Sequence, residues 1–343
     1  MTAQDTPAGD ADHIHPHPWP EVDAEACIHL VGDVNLQQRD QPEHAFRHVV
    51  KTLSEADLRF CNLEGCLYRP GENDIPEKEW WEHSDESMVR GLVAAEFGCV
   101  GQANNVTYGA KAVRNTFNVL DREGIDHCGA GESLAEAQAP AVVSIHGTTV
   151  GFLQRTARYY GETAVATENS PGVAVIDPDE PSYVDEPVAS VKALRSAVDV
   201  LVFSHHLRRA STTEIEPYQR ELSQAVIDSG ADVVLGHGAH VNQGIEIYRG
   251  RPIFHSVGQF AFDGEKIRDR TDGLLVRVHV TNGDIKRVGF VPVSRDADND
   301  VYLAGPNTPN GHRQLDQLKE LFPNSPFEVG DFEAVLEGIG TED

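Results

Sequence analysis

One junction constrains this chain more than any other: the place where a short apolar run turns into a glycine-histidine segment. Val233-Val234-Leu235 is β-branched and apolar, as a buried strand is. It passes directly into Gly236-His237-Gly238-Ala239-His240. Glycines on both sides of His237 permit a sharp turn, because a residue without Cβ takes positive φ freely. Two imidazoles leaving the end of a central strand on such a turn can converge on one metal ion as neutral nitrogen ligands. An isolated G-H-x-x-H is equally compatible with a surface turn. The rest of the chain decides between the two.

The same pattern recurs. Strands are expected at 27–31, 58–63, 99–103 and 198–203, followed by Gly32-Asp33, Glu64, Asn104-Asn105 and Ser204-His205-His206. Helices are expected between them, over 42–55, 86–97, 110–123, 188–197 and 217–229. A hairpin is read across His146-Gly147, with further strands at 251–256, 274–280 and 285–291. Residues 155–171 read as an irregular binding loop or lid. This alternation predicts an α/β sheet, whose ligands bind beyond the carboxyl ends of the strands. Five strand ends carrying Asp33, Glu64, Asn105, His206 and His237/His240 make a metal-competent set that chance rarely assembles.

Charge narrows the partners. With 28 Lys and Arg against 55 Asp and Glu, the net charge is −27, which repels phosphate backbones and anionic lipid. No nucleic acid is expected, and no apolar run reaches the roughly 20 residues of a membrane span. The N-terminus has neither a basic nor an apolar leader region, and five cysteines is an odd count. The expectation is reduced thiols and a cytoplasmic protein. Residues 1–22 read as a disordered tail carrying the run His13-Ile14-His15-Pro16-His17, residues 23–294 as one domain, and residues 295–343 as an extension with helices near 314–321 and 332–336.

The pieces GDVN (32–35), NLEG (62–65), NN (104–105), GAGESLAEAQAP (129–140), the His206 region and the whole of 221–263 resemble the capsule-synthesis CapA (PgsA-like) family, associated with poly-γ-glutamate production. The resemblance implies an α/β fold of four layers, the α/β/β/α sandwich of calcineurin-like metallophosphoesterases, with one or two divalent ions at the strand ends. It does not distinguish Mn, Ca, Mg, Fe or Zn. Carried across by position, it makes Asp33, Glu64, Asn105, His206, His237 and His240 the metal ligands, with His205 as the rival of His206. His205, His240 and His255 are the acid/base candidates, and Asn35, Arg208 and Arg209 are expected to face an anionic substrate.

Three positions depart from the phosphoesterase pattern: Asn35, Val106 and Leu207-Arg208 stand where Asp-x-His, Asn-Asn-His and His-Trp-Gly are usual. The expected function is therefore a metal-dependent enzyme acting on a peptide-like or polyglutamate-like substrate, by epimerisation or hydrolysis. Phosphate-ester hydrolysis is the second reading. A non-catalytic, polymer-binding partner of a capsule ligase complex is the third.

Overall fold

The computed structural model describes residues 22–37, 39–68, 84–264 and 267–340. The expected tail (residue 22 apart), with its His13–His17 run, lies outside the described residues. In chain order the elements begin with β1 (Ala26–Asn35), α1 (Val50–Leu53), β2 (Leu58–Leu63), α2 (Val89–Ala94), β3 (Cys99–Gly101), α3 (Ala110–Glu123), β4 (Asp126–Cys128) and β5 (Ala130–Gly131). The middle of the chain forms α4 (Leu134–Gln138), β6 (Ala141–Ile145), β7 (Thr148–Thr156), β8 (Gly172–Val173), α5 (Asp185–Arg195), β9 (Val200–His206), α6 (Pro217–Asp228) and β10 (Val233–His237). The remainder forms β11 (Ile245–Tyr248), β12 (Arg251–Phe254), β13 (Gln259–Phe262), β14 (Gly273–Thr281), β15 (Asp284–Arg295), β16 (Val301–Leu303), α7 (Pro309–Leu321), β17 (Phe327–Val329) and β18 (Ala334–Leu336).

Two sheets face each other. The larger runs β17-β18-β15-β14-β1-β2-β3-β4, with β13 paired to β1 and β16 to β15. Its β1 to β4 half is parallel. The smaller runs β11-β12-β10-β9-β7-β6, and its four central strands are parallel. Period-two alternation sorts the side chains into layers. Ile28, Leu30, Phe60, Phe152, Val200, Val202, Val233 and Leu235 form the core between the sheets. Val31, Cys61, Leu63 and Val100 pack outward with Leu53, Leu92 and Leu120 of the helices. Leu201, Phe203 and Val234 pack outward against Leu194, Leu222 and Val226 of α5 and α6. The layer order is α/β/β/α, that of the metallophosphoesterase fold expected above.

The local expectations fare unevenly. Helix α3 occupies the expected span and ends where Gly124 takes a left-handed conformation (φ 71°), its N–H returning to Leu120 and Asp121 carbonyls. The segment expected as one helix over 42–55 is instead a 3-10 turn, Pro42–Phe46, followed by the single turn of α1. Neither piece has a side-chain N-cap bond, and β-branched Val49, Val50 and Thr52 lower helix propensity there. The second helix expected in the extension, near 332–336, is a correction: Ala334–Leu336 is a strand paired to Phe290 and Gly289 of β15. With β16 and β17 it adds the extension to the larger sheet. No helix among the described residues is long and apolar enough to cross a membrane. All five cysteines are free thiols, and burial pushes the Cys27 and Cys66 thiols up to about 12.

Candidate metal centre

The floor of the site is aromatic. Phe60 of β2 and Phe152 of β7 stack across the inter-sheet core, centroids 4.7 Å apart and rings 5° from parallel. Such a pair contributes about 0.5–1.5 kcal/mol beyond its buried area. Two residues further along each strand, on the same face, come Asn62 and Gln154. Glu64 follows two residues after Asn62. Alternation on β9 likewise puts Ser204 and His206 on the face of Val200 and Val202, and His237 shares the face of Leu235 on β10.

Asp33 reaches this face through an irregularity. The β1–β2 register shifts between Leu30 and Asp33. At Gly32 the backbones are so close that a Cβ would lie 2.3 Å from the Gly258 carbonyl oxygen. Only glycine permits that approach. Gly238 has a comparable role: its φ is 80°, and a Cβ there would sit 2.5 Å from the His206 ring. The turn then carries His240 back over the carboxylates at φ 57°.

The result is one buried cluster. Donor atoms of Asp33, Glu64 and His206 all lie within 4.8 Å of one another. His237 Nδ1 is 3.4 Å from Asp33 Oδ1, and His240 Nδ1 is 3.2 Å from Asp33 Oδ2. His240 Nε2 lies 3.6 Å from Glu64 Oε1. His206 Nε2 is 2.8 Å from Asn105 Oδ1 and 4.0 Å from Glu64 Oε1. Asp33, His206 and His237 are 0% exposed, Glu64 2%, His240 4% and Asn105 5%.

Electrostatics match a cation site. Burial raises the Asp33 carboxyl, but contact with His237 and His240 outweighs it and holds the group well below the usual carboxylate range. Burial drives His206 well below the usual imidazole value; Asp33 opposes this, while Arg158, His240 and His237 reinforce it. His240 is lowered by burial too, against Asp33 and with Arg158 and Arg270. Asp33 is therefore held as a carboxylate and His206 and His240 as neutral imidazoles, the form that metals take. Among the described residues His237 Nε2 has no hydrogen-bond partner. A buried polar atom in that state beside two carboxylates is one that a bound ion would satisfy. The chemistry and spacing of these donors fit a divalent ion.

Asn62 was not among the residues expected from sequence, yet it stands at the middle of the cluster. Its Nδ2 donates to Asp33 Oδ1 at 2.9 Å and lies 3.5 Å from both Glu64 Oε2 and His206 Nδ1. The orientation of its amide follows from the hydrogen-bond chain. The Ala103 N–H donates to Gln154 Oε1 at 2.6 Å, so Gln154 Nε2 must be the donor to Asn62 Oδ1 at 3.1 Å. Asn62 therefore presents N–H, not oxygen, to the carboxylates. The available signal was period two: Phe60, Asn62 and Glu64 share one face.

Other expected residues go elsewhere. His205 lies on the outer face of β9 with Leu201 and Phe203, away from the carboxylates, and burial lowers it to about 3. His255 Nε2 sits 3.3 Å from Glu246 Oε1, also on the outer side of the smaller sheet. Asn35 is buried and donates to the Glu64 backbone carbonyl at 2.6 Å, bracing that turn. Arg208 is tied to Asp179 at 2.9 Å and Glu216 at 3.0 Å, and Arg209 to Glu214 at 3.4 Å. The expected projection of this pair toward the site is thus replaced by local ion pairs.

Compared with known proteins, residues 27–264 match the family described as bacterial capsule synthesis protein PGA_cap. The capsule biosynthesis protein CapA of Bacillus anthracis is 26% identical over 277 residues, covering 77% of this chain. The chain spans 66% of that relative's length. The PGA biosynthesis protein CapA of Bacillus subtilis (strain 168) is 29% identical over 310 residues, covering 87% of this chain and 78% of the relative. Among solved structures, a novel phosphatase from Mycoplasma pneumoniae superposes with TM-score 0.47 and 12% identity, covering 84% of this chain and 96% of that one.

Proposed function

The chain belongs to the bacterial capsule synthesis protein PGA_cap family, and on that premise we propose that it is a metal-dependent enzyme acting on a peptide-like or polyglutamate-like anionic substrate, by epimerisation or hydrolysis. The observation that carries this reading is the convergence of Asp33, Glu64 and His206 donor atoms within 4.8 Å in a buried site. Asp33 and Glu64 supply carboxylate oxygens that would hold a divalent ion, with Asn105, His206 and His237 completing the donor set. When bound, such an ion supplies a Lewis acid that polarises a carbonyl or lowers the pKa of water.

The protein's own part is positioning and proton handling. Of the three histidines expected to move protons, only His240 stands at the cluster, touching both carboxylates. Kept neutral by burial, it can accept a proton, with its Nδ1 lying 3.2 Å from Asp33 Oδ2. It also remains a donor candidate, and His240→Gln separates these roles: loss of turnover with metal retained assigns proton transfer, and loss of metal assigns ligation.

The test uses the full chain, Mn²⁺ titration and a γ-linked glutamate oligomer. Saturable Mn²⁺ binding abolished by His237→Ala, with solvent deuterium appearing at Cα or a shortened oligomer by mass spectrometry, supports the proposal. No saturable binding of Mn²⁺, Ca²⁺, Mg²⁺, Fe²⁺ or Zn²⁺ refutes it.

A further inference from the structure

Arginines in this acidic chain are largely spent on carboxylates. Arg155 pairs with Glu186, Arg195 with Asp232, and Arg208 with Asp179 and Glu216. Arg158 is different: among the described residues it has no carboxylate partner. It lies just past the carboxyl end of β7, where Thr156 is in register with His206 and the Ala157 N–H donates to the His206 carbonyl at 2.9 Å. The Thr156 hydroxyl accepts from the Arg158 N–H at 3.1 Å and donates to its carbonyl at 2.8 Å, fixing the backbone. The side chain is half-buried, and its Nη1 lies 3.5 Å from the carbonyl of Gly238, between His237 and His240. Tyr160 braces it: the Arg158 Nε donates to the phenol oxygen at 2.8 Å and the guanidinium lies 5.6 Å from the ring centroid. Tyr159 and Tyr160 are among the few large aromatic side chains the fold leaves exposed, at 36% and 50%.

We propose that Arg158, braced by Tyr160, is a specificity-determining residue that receives a substrate carboxylate at the rim of the metal centre. This deepens the functional reading above and rests on it. With Nε committed to Tyr160, the guanidinium offers its Nη1–Nη2 edge, which matches the two oxygens of one carboxylate. One positive charge balances one carboxylate, and the chain's overall excess of Asp and Glu disfavours a dianion such as phosphate. The exposed tyrosine faces beside it give methylene groups of a glutamate-like side chain an apolar surface.

The test is calorimetric titration of the full chain with γ-linked triglutamate and with its α-carboxamide (isoglutamine) counterpart, each with and without Mn²⁺. The wild type is expected to prefer the acid by about tenfold or more, as a charge-assisted hydrogen bond does. Arg158→Gln should erase that preference while leaving Mn²⁺ affinity within about twofold, and Arg158→Lys, which keeps the charge without the fork, should restore only part of it. Equal wild-type affinity for acid and amide, a preference that survives Arg158→Gln, or inorganic phosphate displacing triglutamate at lower concentration than glutarate would each overturn the assignment. A preference lost on Arg158→Gln in a protein that binds no metal would retain the carboxylate site and remove the metal-dependent reading instead.

Discussion

Replacing Asn62 with leucine separates a positioning residue from a ligand. The side chain keeps roughly its volume, but Asp33 loses the 2.9 Å bond from Nδ2, and Gln154 Nε2 loses its 3.1 Å acceptor. A hydrogen bond to a charged group contributes about 1.5–3 kcal/mol, so the apo protein should lose stability of that order in urea unfolding. Metal affinity should fall about 10–100-fold, the usual consequence of removing a group that orients a ligand, equivalent to about 1.4–2.7 kcal/mol. Mn²⁺ titration by calorimetry reads this directly, with circular dichroism confirming that the variant is folded. Gln154→Leu is the companion. It leaves Asn62 in place but removes the bond that sets its amide, so it should give a smaller loss in the same direction. Affinity unchanged within about twofold in Asn62→Leu would refute the claim that this amide holds Asp33 in place. A loss beyond about 10⁴-fold, far above the range for an orienting group, would make Asn62 a ligand and invert the amide orientation derived above.

Two further predictions concern the fold that carries the site. His29 of β1 is fully buried, neither ring nitrogen has a hydrogen-bond partner among the described residues, and burial followed by Arg277, Arg59 and His279 holds it well below 6.5. The unfolded chain therefore takes up a proton that the folded one refuses. The stabilisation is complete above pH 6.5 and is lost as pH falls from 6.5 toward the folded value, so His29→Leu should gain about 1.4 kcal/mol relative to wild type between pH 7.5 and 5.5 in urea unfolding; a pH-independent difference would contradict it. Glu333, 2% exposed, bridges Arg277 at 3.1 Å and Arg287 at 2.7 Å and so fastens the β17–β18 hairpin to the larger sheet. Glu333→Gln removes the carboxylate that the two guanidinium groups share and should cost about 3–5 kcal/mol by denaturant titration, whereas a cost under 1 kcal/mol would mean that strand pairing and apolar contacts hold the hairpin without it.

Much of the centre was legible because its residues end apolar runs. Asp33, Glu64, Asn105, His206, His237 and His240 could be read as a set from strand endings alone, and alternation through Val200-Leu201-Val202-Phe203-Ser204-His205-His206 assigns His206 rather than His205 to the inner face. What alternation could not supply was partnership at a distance. The pull of Glu246 on His255 depends on β11 pairing back on β12, and the capture of Arg208 by Asp179 depends on a loop 29 residues away. The capture of Arg208 by Glu216 was closer to hand, since the carboxylate lies only eight residues on. Strands β16, β17 and β18 are three residues each, too short for a period to declare itself. β16 and β18 exist because β15 offers an edge to pair with, and β17 because β18 in turn offers one.

The centre and the fold are also energetically one object. The side chains in the cluster project from inner strand faces, from the loops that directly follow those strands or from the turn that closes over them, so the separation of the two sheets sets the distances between donors. That separation is fixed immediately beneath by Phe60 stacked on Phe152, with the His237 ring 6.4 Å from Phe60. The carboxylate of Asp33 is kept ionised in a buried position by contact with imidazoles, and burial lowers the basicity of two members of the cluster, His206 and His240. Neutral imidazoles orient a carboxylate but do not cancel its charge, and an ionised group removed from water is costly until a cation compensates it. A divalent ion that binds the folded chain and not the unfolded one would offset that cost, adding RT ln(1 + [L]/Kd) to stability. Affinity at the strand ends and resistance to unfolding should therefore rise and fall together, which ties the chemistry of the site to the packing of the two sheets rather than to any single ligand.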